Sequence, residues 1–274
     1  MAAIDQGKLS IGRVLALSWS VFARRWLSFG GMLLIGGLLA GAAIVMLFFG
    51  CILVIEAMPS GGGGFNFTDS QTVVMFATLF AMAVAGLAIQ QIGGAAITFG
   101  TVQLLRGQEA GFGRCLGHGF SVMLPVAGTA AAVALIVGLP ILAFVFLGSM
   151  VSEDLFFVAP LLAPLLACPF LVAVPVVAME RSGAGQALAR SVRLTRGSYF
   201  RVLGLLLLLA VAFVAVTALF GFASDVLWDL SVLISIAAIL AVGTFAAILA
   251  AVLYVELRRV TEGFGAEEIA KLFD

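Results

Sequence analysis

Charge is scarce in this chain. Of 274 residues, 14 are basic and 14 acidic, together 10%, where an ordinary soluble domain carries roughly a quarter. A soluble fold needs a charged outer surface, and so few charges cannot cover one, which excludes a water-soluble globule. Histidine occurs once, at His118, and cysteine three times, at Cys51, Cys115 and Cys168, without paired spacing and without a neighbouring histidine. Metal sets and Ser-His-Asp constellations have little to draw on, so neither a metal, a cofactor nor an enzymatic activity is expected. The cysteines read as packing residues and His118 as an interfacial polar residue. No small-residue cleavage signature closes the first apolar run, so the first helix is expected to be retained. Nucleic acid is not among the expected partners.

What is abundant is apolar: 63% of residues are hydrophobic and the mean hydropathy is +1.24. A hydrocarbon core of about 30 Å takes ~20 apolar residues of helix. Six runs meet that length, at about 29–56, 72–104, 122–149, 156–179, 202–223 and 230–255. The expected fold is an all-α polytopic membrane protein, a single domain over 1–274.

Three connecting loops, 57–71, 150–155 and 224–229, hold Asp69, Glu153, Asp154, Asp225 and Asp229 but no Lys or Arg. All the basic residues fall on the other side, so both termini are expected in the cytoplasm and the location is expected to be a bacterial inner membrane. Trp19, Trp26, Tyr199 and Tyr254 on the basic side and Trp228 on the acidic side suit headgroup anchors.

A repeat precedes each odd-numbered span. GRVLALSWSV from Gly12, GRCLGHGFSV from Gly113 and GQALARSVRL from Gly185 each place leucine three residues after glycine. The pattern predicts three cytoplasmic interfacial helices, at about 9–26, 108–120 and 184–198, each heading a pair of spans. At 100° per residue the third should turn Arg190, Arg193, Arg196 and Arg201 to one side and Ala187, Leu188, Val192, Leu194 and Tyr199 to the other. Such a helix buries its apolar side at the headgroup boundary and offers arginines to anionic lipid or to a cytoplasmic or membrane protein partner. The same arginines also serve topology alone.

Two features inside the spans admit either packing or transport. Gly86, Gln90, Gly94, Thr98 and Thr101 share a face of the second span, with Gln91 beside them. They suit a close helix contact, as do Gly37 and Gly41 in the first span. A small-molecule or lipid transporter would place a polar site there, between the second and fourth spans, with Gln90, Gln91, Thr98 and Thr101 at its centre. The fourth span carries Pro160, Pro164, Pro169 and Pro175 and should be kinked or broken. With Pro140 in the third span, a cavity between spans three and four is a further expectation. Breaks of this kind line sites, or are tolerated where neighbours satisfy the freed carbonyls.

The segment 176–209, VVAMERSGAGQALARSVRLTRGSYFRVLGLLLLL, resembles the membrane region of the glycerophosphoryl diester phosphodiesterase membrane-domain family, and YVELRRVTEGFGAEEIAKLFD, 254–274, looks like the tail of its bacterial members. The resemblance implies the six-helix membrane unit without the catalytic barrel that carries the phosphodiester chemistry. It singles out Glu180, Arg190, Ser191, Leu194, Thr195 and Gly197, whose structural role would be to seat the third surface helix, with Gly197 turning the chain into the fifth span.

Overall fold

The computed structural model describes residues 9–56, 69–109, 111–151, 159–226 and 231–262. The acidic-side loop residues Glu153, Asp154, Trp228 and Asp229 and the tail beyond Glu262 lie outside them. Every regular element among the described residues is helical. They are α1 (Ile11–Glu56), α2 (Asp69–Leu105), α3 (Phe112–Ser121), α4 (Met123–Val151), α5 (Ala159–Ala167), a 3-10 turn (Cys168–Phe170), α6 (Ala173–Glu180), α7 (Ala184–Arg196), α8 (Tyr199–Val226) and α9 (Ser231–Glu262). Six helical stretches are long and apolar enough to cross a membrane: Ile11–Gly50, Ala77–Leu105, Met123–Phe144, the composite Leu162–Glu180, Tyr199–Val216 and Ile236–Glu262.

The segment expected as the first surface helix is the N-terminal part of α1, set off from the first span by a kink at Arg25, which leaves helical geometry at φ −136°, ψ 19°. The second and third are the short helices α3 and α7. The three repeats share one burial register that the glycine-leucine alignment had not exposed. Two residues after each glycine stand Val14, Cys115 and Ala187, six after stand Ser18, Gly119 and Ser191, and nine after stand Val21, Val122 and Leu194, all buried. Positions spaced by four and three recur on one helical face, which fixes which side of each segment meets the bundle.

The central contact is α1 against α2, antiparallel, with glycine on both helices. Their close points run from Phe29 at Gly100, through Met32 and Leu33 at Gly93, to Ile44 at Gly86. Gly86, Gly93 and Gly100 are seven apart, so they stay on one face and let the backbones meet. A Cβ at Gly93 would stand 2.9 Å from the Met32 carbonyl oxygen and 3.2 Å from Leu33 Cα. Gly243 of α9 seats Leu33 from the other side, where a Cβ would fall 2.8 Å from Leu33 Cδ2.

The fourth span is broken as its prolines require, into α5, the 3-10 turn and α6. Pro169 has no N–H to give to the carbonyl four residues earlier, Leu165, and the Tyr199 hydroxyl donates to that oxygen at 3.0 Å. The Pro169 carbonyl, stranded at the break, accepts from Ser191 Oγ at 2.6 Å. At the end of α6 the Ala178 carbonyl meets His118 Nε2 at 2.7 Å, which makes Nε2 the protonated ring nitrogen, and His118 stacks on Phe99 with centroids 4.1 Å apart. Thus α3, α7 and the start of α8 supply the partners that a broken helix in an apolar medium otherwise lacks.

Gly93→Ala should lower stability by about 1–3 kcal/mol, since backbone must move to admit the methyl, whereas Gly41→Ala, with nothing within 4 Å of the added carbon, should be neutral or stabilising. Thermal unfolding in detergent separates them. By the same measurement, Ser191→Ala and Tyr199→Phe should each cost about 1–3 kcal/mol, because each leaves a carbonyl of the broken span without its donor; wild-type midpoints for both would refute the capping role.

Candidate functional site

The basic residues gather where the helix ends meet. Arg13 Nε lies 3.3 Å from Glu256, which joins the start of α1 to α9. Arg25 at the bend of α1 lies 3.6 Å from Glu109, just beyond α2. Arg201 Nη1 donates to the Leu9 carbonyl at 3.2 Å, which ties the start of α8 to the segment entering α1. One end of the bundle therefore carries the basic charge.

The tightest cluster holds α7 in place. Arg190 reaches Glu180 at the end of α6 at 3.4 Å and pairs with Glu262 of α9. Arg258 Nε is 2.9 Å from Glu262, and the Tyr254 hydroxyl donates to Glu180 at 2.9 Å. Tyr254, expected as a headgroup anchor, is instead buried, and its hydroxyl finds a carboxylate as a buried phenol must.

The arginines grouped on the third surface helix therefore part company. Arg190 turns inward to its two carboxylates and Arg201 belongs to α8, anchored on Leu9. Arg193 and Arg196 stay exposed in the last turn of α7. The face of α7 buried within the protein is Ala187, Ser191, Leu194 and Thr195, while Val192 is on the protein's outer surface. Ser191 and Thr195 are buried because each hydroxyl has an acceptor: Ser191 on Pro169, Thr195 on the Ser191 carbonyl at 3.0 Å. The residues that the resemblance singles out thus fall where α7 is seated. Gly197 caps α7 and stands in the turn into α8, as expected, with right-handed backbone at φ −75°. Left-handed backbone occurs at Gly107 and at Arg181, φ 50°, the cap of α6.

Charge at this end is unequally satisfied. All four described carboxylates there, Glu109, Glu180, Glu256 and Glu262, stand in ion pairs. Arg24, Arg106, Arg114, Arg181, Arg193 and Arg196 are exposed and have no ion-pair partner among the described residues. Beneath Arg114, Cys115 is buried, and burial pushes its thiol above the ordinary range despite the nearby Arg114 and Arg25. A thiol held protonated and covered is a packing group rather than a nucleophile.

The polar stripe of the second span is divided among contacts. Gln90 faces α1, where a Cβ on Gly37 would lie 3.3 Å from its Oε1. Gln91 folds onto its own helix, its Oε1 3.1 Å from the Cβ position of Gly94. Thr98 is buried and donates to the Gly94 carbonyl at 2.8 Å, and Thr101 is buried with its hydroxyl unpartnered among the described residues. None of the four lines the cleft between α1, α8 and α9, whose lining is apolar. Among the described residues no three of His, Cys, Asp and Glu stand together as a metal set.

Comparison with family models, curated proteins and solved structures returns no match.

Arg190→Ala should destabilise the protein by about 1–3 kcal/mol, because Glu180 and Glu262 would keep their partial burial and lose a charged donor. Arg193→Ala, which touches neither, should stay within about 0.5 kcal/mol of wild type. Equal midpoints for the two variants would show that the ion pairs of Arg190 do not hold α7.

Proposed function

We propose that the chain is a non-enzymatic integral membrane protein that engages anionic lipid through the basic end of its bundle. The observation that carries this is the imbalance of satisfied charge: among the described residues the carboxylates at that end are taken up in ion pairs, and six exposed arginines have no such partner. Each Arg near an anionic bilayer surface contributes ~1 kcal/mol. The spread of these residues over α1, the α2–α3 turn, α3, the cap of α6 and α7 suits a plane of headgroups better than a compact protein docking spot. By the bias of basic residues the face is cytoplasmic, with both termini on that side of a bacterial inner membrane. The likeness of 176–209 to a phosphodiesterase family's membrane region supports a membrane unit separated from catalysis.

Arg193 and Arg196 are the residues to change, because Arg190 also seats α7. Replacing both by Gln should lower retention of anionic lipid at low salt by about thirtyfold, from ~1 kcal/mol for each charge. Native mass spectrometry of protein reconstituted with phosphatidylglycerol and phosphatidylcholine reads this directly. Because exposed charges are screened, with a Debye length of about 3 Å at 1 M salt, this retention should disappear in 1 M salt in the wild type too. Retention unchanged in the double variant at low salt would overturn the proposal.

A further inference from the structure

The apolar cleft between α1, α8 and α9 has a volume of about 660 Å³, within the ~300–1,000 Å³ typical of ligand pockets. One wall is aromatic. Trp19, Phe22 and Phe245 meet there with ring centroids 5.7 to 6.4 Å apart. Along α8 the lining runs from Leu205 to Val216, roughly 16 Å at 1.5 Å per residue. A hydrocarbon core is about 30 Å thick, so the cleft covers one leaflet. Trp19 and Leu208 line it and are exposed, so it opens sideways, where a membrane-spanning bundle meets hydrocarbon.

Its basic end is marked by one residue. Arg201 precedes Leu205 by four positions and Leu208 by seven, on the same face of α8, so it stands where the lining ends toward the charged end of the bundle. Its Nη1 is held on the Leu9 carbonyl. A guanidinium has five N–H donors, and Arg201 has no carboxylate partner among the described residues. Leu9 thus orients the group and leaves donors over for an anionic oxygen.

The geometry points to a binding site for a single anionic phospholipid, one acyl chain lying in the cleft and the phosphate at Arg201. An inserted helix is the other apolar occupant, and the charge at the end of the cleft decides against it: the Arg201 guanidinium, oriented by Leu9 and without a carboxylate partner among the described residues, calls for an anionic headgroup. The proposal takes its ligand class from the lipid-binding reading and its site from other residues, so the two fail separately. Arg193 and Arg196 hold lipids that high salt removes, whereas a chain in an apolar cleft is insensitive to screening.

The test is native mass spectrometry in 1 M salt after reconstitution in equal phosphatidylglycerol and phosphatidylcholine. Wild type, and the Arg193→Gln/Arg196→Gln variant equally, should keep one phosphatidylglycerol. Ala212→Phe places a ring in the cleft from an exposed lining position and should remove it. At low salt, in the Arg193→Gln/Arg196→Gln background, Arg201→Gln should reduce the preference for phosphatidylglycerol over phosphatidylcholine about fivefold. Thermal unfolding checks that both variants fold, and Ala241→Phe, from the α9 wall, replaces Ala212→Phe should that variant not fold. Lipid retained in the filled cleft, an unchanged preference in Arg201→Gln, or a second protein chain that Ala212→Phe displaces would each overturn the site.

Discussion

A backbone carbonyl in an apolar medium must find a donor, and the arrangement at the basic end of this protein follows from that constraint. Prolines break the fourth span and strand carbonyls at Leu165 and Pro169, and the end of α6 strands another at Ala178. Three side chains from three other segments meet them: Tyr199, Ser191 and His118. Each unsatisfied group inside hydrocarbon would cost several kcal/mol, so these contacts are requirements of the fold. They explain why α3 and α7 are short: each is long enough to bring one polar group under the broken span, and both pack by small residues that let it arrive.

The same end of the molecule sorts its charges in two. Arg13, Arg25, Arg190, Arg258 and Arg259 face carboxylates and join helices that are distant in sequence. Arg24, Arg106, Arg114, Arg181, Arg193 and Arg196 face outward. Partly exposed pairs contribute little energy individually, yet Arg190 holds two carboxylates from two helices and so ties α7, which carries Arg193 and Arg196, to α6 and α9. Packing and presentation are therefore coupled through one side chain.

Much of this was legible beforehand. Long apolar runs stand out in any window because hydrocarbon demands them, and the prolines announced the break because a missing N–H acts within one turn. The triplicated surface segment was visible as glycine and leucine. Its working positions, the buried residues two, six and nine after each glycine, were camouflaged by their variety of Val, Cys, Ala, Ser, Gly and Leu. The sevenfold spacing of Gly86, Gly93 and Gly100 was a readable signal for the α1 contact, obscured by the neighbouring fourfold set of Gly86, Gln90, Gly94 and Thr98.

By itself the sequence determined that the chain is helical, that six stretches are apolar enough to span, and that basic residues cluster at alternate ends of them. These properties are local, settled by hydropathy and charge over one or two turns. Only the tertiary structure decided which arginines are engaged, which face of α2 meets α1, and that the cleft opens between spans one, five and six. Those outcomes depend on which residues distant in the chain come within 4 Å of each other, and an apolar helix carries no pattern strong enough to name its neighbours.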